Sequence, residues 1–328
     1  MPLTKVRYDM IDDEAKSKLV SDGGAAAKTT ANVIASSTIG FIEAGYTLPT
    51  GTTLQAFVEE LLTTTFYPTF TNPSASLGTS GNLATSQELG SLITPTLSAA
   101  YTAGTINGVL TNNIWVPSSF QAAWTGAATK YTFSGSGIEG NVDNGTTSTY
   151  AVSEQTIGTE GLSYTVVINY AAGTAIAINS KGLTVDADGN TYTVHASGSV
   201  TANLNFTGFR KLWYGVSSAD KVIPTDNSSA TSICRALTGA NNPSNGTTFT
   251  LNPVAGTKKV IFAYPGTLRD VTSVIDSATG YNIKDSFTKR TDLKVAGANS
   301  YDVGTYKIYT YTPDSEAYTQ ATTYTVTI

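Results

Sequence analysis

The segment LSYTVVINY (residues 162–170) alternates between apolar and polar side chains along nearly its whole length. The segment VTANLNFTGF (residues 200–209) shows the same alternation. Because successive side chains of a strand point to opposite faces of a sheet, each segment predicts a strand with one buried face. These two strands predict that the body of the chain is mainly β.

Further short segments bounded by Gly, Asn and Pro predict more strands on both sides of this pair. The other candidates are Ser91–Tyr101, Lys130–Ser134, Thr149–Thr156, Thr191–Ala196, Thr247–Asn252, Lys258–Tyr264, Val271–Asp276, Leu293–Ala296, Gly304–Thr312 and Thr322–Ile328. Their number and spacing predict two immunoglobulin-like β-sandwich domains, residues 70–215 and 216–328. Asp188-Gly189 predicts a hairpin turn, and Ser229–Leu237 predicts a short helix in a connector over residues 216–243.

The segment FIEAGYTLPTGTTLQAFVEELLTTTFYPTF (residues 41–70) differs from this β pattern. Its large apolar residues recur at i, i+3, i+4, i+7 and i+8, and they are Leu54, Phe57, Val58, Leu61 and Leu62. This spacing predicts an amphipathic helix that buries its apolar stripe between chains in an oligomer. We therefore divide the N-terminal region into a tail (residues 1–42) and a helical adaptor (residues 43–69).

Composition limits the partners of the chain. The net charge is −5, and the basic residues do not cluster beyond isolated pairs such as Arg210-Lys211, Lys258-Lys259 and Lys289-Arg290. A nucleic-acid surface needs clustered Lys and Arg, so we interpret these pairs as solvated strand ends. No apolar run reaches the roughly 18 residues that a membrane helix needs. The N-terminus has no hydrophobic signal core, which predicts assembly in a cytoplasm without export by that route.

Catalytic chemistry has little support in the sequence. His195 is the single histidine and Cys234 the single cysteine, so a Cys–His nucleophile or a His-rich metal site would require an extraordinary coincidence. The run Asp186–Asn190 resembles the start of a calcium loop, but Ser197 occupies the position of the bidentate Glu. We predict no enzyme, no cofactor and no metal. A glycosidase needs two convergent carboxylates, and a polysaccharide hydrolase stays open as an alternative.

Two tryptophans permit two interpretations. Trp115 and Trp124 lie in IWVPSSFQAAWTG (residues 114–126), a segment bounded by Pro and Gly that is typical of a loop. Exposed aromatic side chains in loops stack on sugars and on partner proteins, so both residues are candidate glycan contacts. The alternative is that both rings fill the cores of the sandwiches.

Several blocks of the chain resemble virion proteins of tailed bacteriophages. The start MPLTKV, followed by Tyr8, Met10 and Ile11, resembles the virion-anchoring start of tailed-phage fibre proteins. Residues 44–78, AGYTLPTGTTLQAFVEELLTTTFYPTFTNPSASLG, resemble a recurrent adaptor in virion proteins of phages of gut Bacteroidetes, including crAss-like phages. VVINYAAGTAIAINSKG (residues 166–182), FTGFRKLWYG (residues 206–215) and the final residues 306–328 are similar to their β-rich modules. A long repetitive shaft, found in receptor-binding fibres, is missing.

This resemblance implies a structural protein of a virion, assembled in the cytoplasm of the host bacterium. We expect a short head fibre or capsid decoration protein that docks on other virion proteins through residues 1–42. Family analogy implies a homotrimer whose β-domains project outward and bind host surface glycans. A tail, neck or baseplate fibre, a host-glycan adhesin and a depolymerase remain alternatives.

Overall fold

A computed structural model describes residues 33–34, 47–48, 50–51, 53, 65–111, 114–219, 223–315 and 317–328. The docking tail (residues 1–42) lies outside the described residues, apart from one two-residue strand. The predicted oligomerisation residues all lie outside the described residues, and they are Leu54, Phe57, Val58, Leu61 and Leu62.

The described chain is mainly β and contains one α-helix. Its first strands are β1 (Val33–Ile34), β2 (Thr47–Leu48), β3 (Thr69–Thr71), β4 (Ser74–Thr79), β5 (Ser86–Glu88), β6 (Leu92–Ile93), β7 (Thr96–Thr102), β8 (Thr105–Thr111), β9 (Ile114–Ala123), β10 (Ala128–Gly135), β11 (Ile138–Asp143) and β12 (Thr149–Ala151). They are followed by β13 (Gln155–Thr156), β14 (Leu162–Tyr170), β15 (Gly198–Phe209), β16 (Lys211–Ser217), helix α1 (Asn227–Arg235), β17 (Thr238–Asn241), β18 (Thr248–Leu251), β19 (Lys259–Pro265), β20 (Ser273–Asp276), β21 (Thr288–Arg290), β22 (Tyr306–Tyr311) and β23 (Tyr324–Thr327). Two short 3₁₀ turns span Lys284–Ser286 and Ala298–Ser300.

The chain divides into two compact units. The first unit comprises Met1–Ala75, Tyr101–Lys130 and Ile168–Val200, and the second comprises Ser76–Ala100, Tyr131–Val167 and Thr201–Ile328. In the first unit, β3, β8 and β9 form an antiparallel sheet, and β1 pairs with β2. The same unit holds residues 171–197, where the only strand-like pairing is the isolated bridge between Val185 and Thr191.

The central part of the second unit is built from several sheets. Five strands follow the order β11-β10-β14-β15-β5, and the last pair, β15 and β5, is parallel. A second sheet has the order β12-β7-β4, and β13 pairs with β6. Phe133 on β10 stacks on Tyr150 on β12 at 5.6 Å between ring centroids, so aromatic contact joins the two larger sheets.

Residues 211–328 of the second unit form two sheets around one core. The orders are β17-β16-β19-β22-β21 and β18-β23-β20. The core residues come from both sheets, and the aromatic ones are Phe249, Phe262, Tyr264, Phe287, Tyr309 and Tyr324. Because apolar rings from both inner faces meet, the two sheets pack as the two layers of a sandwich. We call residues 211–328 the C-terminal domain.

The end of β5 and the loop after it pack against the C-terminal domain. Leu89 is buried in a cluster with Trp213 and Cys234. Glu88 accepts a hydrogen bond from Arg235 at 2.6 Å and forms a salt bridge with Lys211 at 3.2 Å. Gly90 adopts φ +88°, and a β-carbon there would lie 2.0 Å from the carbonyl oxygen of Ala298. Glycine is therefore required at this close approach.

The mainly β prediction is confirmed, and β14 has the predicted bounds. The helix predicted at Ser229–Leu237 is present as α1, where Asp226 and Ser229 form a capping box. The predicted strands Thr191–Ala196 and Leu293–Ala296 are wrong, since each contributes only an isolated bridge. Strands β2, β3, β4, β5, β8, β9, β11, β16, β17 and β21 were not predicted. Strand β16 also runs across the predicted domain boundary between residues 215 and 216.

Candidate ligand-binding surface

The structure separates the two tryptophans that the sequence grouped together. Trp115 lies on β9 and is only 5% exposed. Its ring packs on Gly108 so closely that a β-carbon there would lie 2.1 Å from the ring. Trp115 is therefore a core residue, as the alternative interpretation held, and its ring does not form part of the surface.

Trp124 instead belongs to a group of aromatic side chains at the surface of the first unit. Its ring centroid lies 4.8 Å from that of Phe70 and 4.3 Å from that of His195. The ring of Tyr192 lies 5.8 Å from Phe70. Phe70 is 38% exposed, and Trp124, Tyr192 and His195 are half-buried. We call these four residues the aromatic cluster.

Backbone pairing fixes the position of Trp124. Its amide donates to the carbonyl oxygen of Gly104 at 2.8 Å. The next residue, Thr125, is buried, and its hydroxyl accepts from the Gly104 amide and bonds to the Tyr101 hydroxyl at 2.7 Å. A β-carbon on Gly173 would lie 2.0 Å from the Trp124 carbonyl oxygen. Trp124 is thus held by close backbone packing on both sides of its own segment.

The segment with Tyr192 and His195 is held by separate backbone hydrogen bonds, such as Gly173 to His195, and by polar side chains. Gln121 on β9 accepts from the Ile178 amide at 3.0 Å and donates to the Ile178 carbonyl oxygen at 3.1 Å. Asn179 is 2% exposed, and its side chain accepts from the Lys181 and Leu183 amides. These bonds replace a strand ladder, because buried backbone groups need partners whether or not a sheet is present.

A tight turn places acidic and amide groups beside Tyr192. The Asp186 carboxylate accepts from the amides of Asp188 at 2.9 Å and Asn190 at 2.8 Å. The Tyr192 amide donates to the Thr184 carbonyl oxygen, so the hairpin turn predicted at Asp188-Gly189 is present. Desolvation raises the pKa of Tyr192, and the negative charge of Asp186 adds to this rise. The hydrogen bonds from Asn190 lower the pKa of Asp186.

The imidazole ring of His195 packs against Trp124, and its Nδ1 bonds to the backbone. Its Nδ1 lies 2.6 Å from the carbonyl oxygen of Ala196. A carbonyl oxygen only accepts, so Nδ1 carries the proton and donates this bond. The ring meets Trp124 edge-on at an interplanar angle of 72°. Nδ1 is therefore occupied, and the packing of the ring orients the indole.

This arrangement has the chemistry of a carbohydrate-binding surface. Aromatic faces attract the C–H faces of sugar rings, and the carboxylate and amide oxygens of the 186–190 turn can accept from sugar hydroxyls. The sequence identified Trp124 but did not identify Phe70 or Tyr192. Tyr192 directly follows the turn, which is the one signal in the sequence that connects it to Asp186.

Several described carboxylates outside this surface contact cations or backbone amides. Lys289 and Lys307 both contact Asp270, at 2.6 Å and 2.9 Å. Arg290 contacts Asp292 at 2.5 Å, and this bond lowers the pKa of Asp292 to about 2. Among the described residues, no three His, Cys, Asp or Glu side chains are grouped so as to hold a metal ion. Over the same part of the chain, no helix has the length and hydrophobicity to cross a membrane.

Comparisons with known protein families, with curated proteins and with solved structures found no match to this chain.

Proposed function

We propose that this protein is a non-enzymatic structural component of a bacteriophage virion, and that its aromatic cluster binds host surface glycans. The observation that carries the binding role is the half-exposed group of Phe70, Trp124 and Tyr192 beside the turn at Asp186–Asn190. Such an aromatic surface next to hydrogen-bond acceptors suits a neutral sugar, which offers C–H faces and hydroxyls together.

The role in a virion rests on the blocks of sequence that resemble tailed-phage proteins. In this proposal the chain is a short head fibre or capsid decoration protein, and residues 1–42 dock it on other virion proteins. A tail, neck or baseplate fibre is the alternative position. The two-layer packing of the C-terminal domain supports the finer proposal that the β regions are immunoglobulin-like.

Glycan binding is tested by screening the full chain against an array of purified bacterial surface polysaccharides. We expect the Trp124→Ala variant to lose roughly tenfold in affinity for any glycan bound, because each 1.4 kcal/mol of lost contact is a factor of ten. Phe120→Ala is the matched control, since Phe120 is 61% exposed in the same unit and lies outside the cluster. Equal binding by the Trp124→Ala variant and the native chain would overturn the binding role.

Assembly is tested separately by light scattering. The proposal expects a trimer that becomes a monomer when Phe57 and Leu61 are both changed to Asp, because the charges would face the buried apolar stripe. An intact trimer after both changes would exclude this helix as the contact between chains. Particles assembled with a chain lacking residues 1–42 test docking, and continued incorporation would exclude the tail as the docking segment.

A further inference from the structure

A pocket lies in the second unit at the junction between β15 and β16. Arg210 is the single residue between these strands. The pocket has a volume of about 280 Å³, and Phe209, Pro243 and Pro265 contribute its apolar lining. Its polar lining includes Arg210, Asn242 and Thr267. This volume is at the lower end of the range for small-molecule sites, which suits one monosaccharide unit.

The Arg210 guanidinium lacks the partner that a partly buried cation normally has. Arg210 is half-buried, yet within the described part of the chain its side chain makes no hydrogen bond and no salt bridge, and its charge acts on Asp302 without direct contact, lowering the pKa of that carboxyl. Its neighbour Lys211 is different, because it forms a salt bridge with Glu88. Side chains alternate along an extended chain, so Arg210 points away from the face on which Lys211 meets Glu88. The pair Arg210-Lys211 is therefore not a simple solvated strand end.

The nearby carboxylates are already engaged. Asp302 contacts the Lys294 ammonium at 2.5 Å and accepts from the Gly304 amide at 2.9 Å. Glu88 is shared by Arg235 and Lys211. Asp270, which contacts Lys307, flanks the pocket on the side of Leu268. One unpaired guanidinium with acidic groups in its surroundings favours an anion of single charge over a doubly charged phosphate.

We propose that the Arg210 pocket binds the carboxylate of an acidic monosaccharide unit, of the uronic acid class. The planar guanidinium matches a carboxylate through two parallel hydrogen bonds. The Phe209, Pro243 and Pro265 walls accept the C–H groups of the sugar ring, and Thr267 and Asn242 bond to its hydroxyls. This site stands independently of the aromatic cluster, because it is built from other residues and takes a charged sugar.

The test is a titration of the full chain with methyl β-D-glucuronide, followed by ¹⁵N NMR of the arginine Nε–H groups. The matched neutral probe is methyl β-D-glucoside, which lacks only the carboxylate. We expect the glucuronide to bind roughly tenfold more tightly than the glucoside and to shift the Arg210 resonance. Equal affinity for the two probes, or no saturable binding of the glucuronide, would overturn the proposal.

Variants separate the pocket from general charge effects. Arg210→Gln is expected to raise the Kd for the glucuronide roughly tenfold. Lys284→Gln removes the same charge from a residue that does not line the pocket. We expect this variant to bind the glucuronide with the Kd of the native chain. Thr267→Val provides a second measurement if Arg210→Gln does not fold, with an expected rise of a few-fold. The proposal is contradicted if Arg210→Gln, or Thr267→Val where Arg210→Gln does not fold, binds the glucuronide with an unchanged Kd.

The Trp124→Ala variant distinguishes this inference from the proposed function. It is expected to bind the glucuronide as the native chain does, since Trp124 does not line the pocket. Loss of neutral-glycan binding with retained glucuronide binding would support two separate sites. A loss of both in Trp124→Ala would assign the glucuronide to the aromatic cluster and overturn the Arg210 site.

Discussion

The C-terminal domain packs a cluster of aromatic rings in its core, whereas the first unit keeps several aromatic rings at its surface. In the C-terminal domain, Phe262 and Tyr264 are fully buried, and the ring of Phe262 stacks on Tyr309 at 4.9 Å. In the first unit, Phe70 is 38% exposed and Phe120 is 61% exposed. The same residue type therefore stabilises the interior in one region and forms surface in the other.

The two regions also differ in what holds their backbone. Strand ladders of up to six residue pairs, such as β19 with β22, hold the C-terminal domain. Residues 171–197 of the first unit have separate turn-type backbone bonds instead of a ladder, together with bonds from the side chains of Gln121 and Asn179 to the backbone. Segments held by a few polar bonds open more readily than packed strands, and binding residues are common on such segments. We therefore expect the C-terminal domain to contribute most of the stability and the first unit to contact the ligand.

The largest expected effect is in the C-terminal core. Phe262→Ala removes a fully buried ring that contacts Phe249, Phe287 and Tyr309. We expect it to lower the free energy of unfolding by about 3–5 kcal/mol, because a buried cavity replaces the ring. Urea denaturation followed by circular dichroism measures this change.

The matched control for this core variant is Tyr281→Ala, because Tyr281 lies in the same domain and is 73% exposed. Its expected effect is within about 0.5 kcal/mol. A loss of similar size in both variants would contradict the assignment of stability to the buried rings.

A smaller effect is expected from Asn179→Ala in the first unit. The change leaves the amides of Lys181 and Leu183 without their acceptor. Loss of a buried hydrogen-bond partner costs roughly 1–3 kcal/mol, and we expect that cost as local opening of residues 179–185. Hydrogen exchange of the Lys181 and Leu183 amides measures it. Lys181→Ala, which keeps these bonds, is the control, and unchanged exchange in Asn179→Ala would mean that the side chain does not hold the segment.

The smallest effect is expected from a surface charge of the C-terminal domain. Hydrogen bonds from Lys289 and Lys307 lower the pKa of Asp270. A carboxylate whose folded pKa is lowered stabilises the fold above its unfolded pKa of about 3.9, and this contribution is lost as the pH falls through the folded pKa. Asp270 is 57% exposed, so solvent screening limits the contribution to at most about 1 kcal/mol.

Asp270→Asn should therefore lower the Tm slightly at pH 6, and this difference should shrink as the pH falls towards 2, because the native carboxyl then takes up a proton and loses its charge. Thermal melts between these pH values measure the difference. Asp285→Asn is the control, because Asp285 makes no salt bridge with any residue that the structure describes. An equal pH dependence of Tm in the Asp270→Asn variant and the native chain would contradict this account.

The sequence predicted strands best where alternation was uninterrupted. Strand β14 alternates over its full length, and five of its side chains are buried in turn. Strand β9 was missed because Pro117 interrupts the segment, and Pro normally excludes a central strand. The register of β8 and β9 shifts beside it, and this bulge accommodates the proline. Strand β11 was missed because its Gly-rich segment is typical of a loop.

The candidate sites were harder to predict because they combine distant parts of the chain. Phe70 and Trp124 are separated by more than fifty residues in sequence, yet their ring centroids lie 4.8 Å apart. Arg210 and Lys211 have the same charge and adjacent positions, but only Lys211 reaches Glu88. Side-chain type alone does not distinguish such neighbours, since the distinction depends on the partner available on each face.

The sequence by itself determined the mainly β class, the position of β14 and the short helix α1, because alternation and helix capping act between residues that are close along the chain. The tertiary structure decided which residues remain at the surface. Gly108 receives the ring of Trp115 and buries it, whereas Trp124 keeps an exposed edge beside Phe70. Glu88 forms salt bridges with Lys211 and Arg235, whereas Arg210 forms no salt bridge with any described residue. These outcomes depend on packing between distant segments, which local residue patterns do not encode.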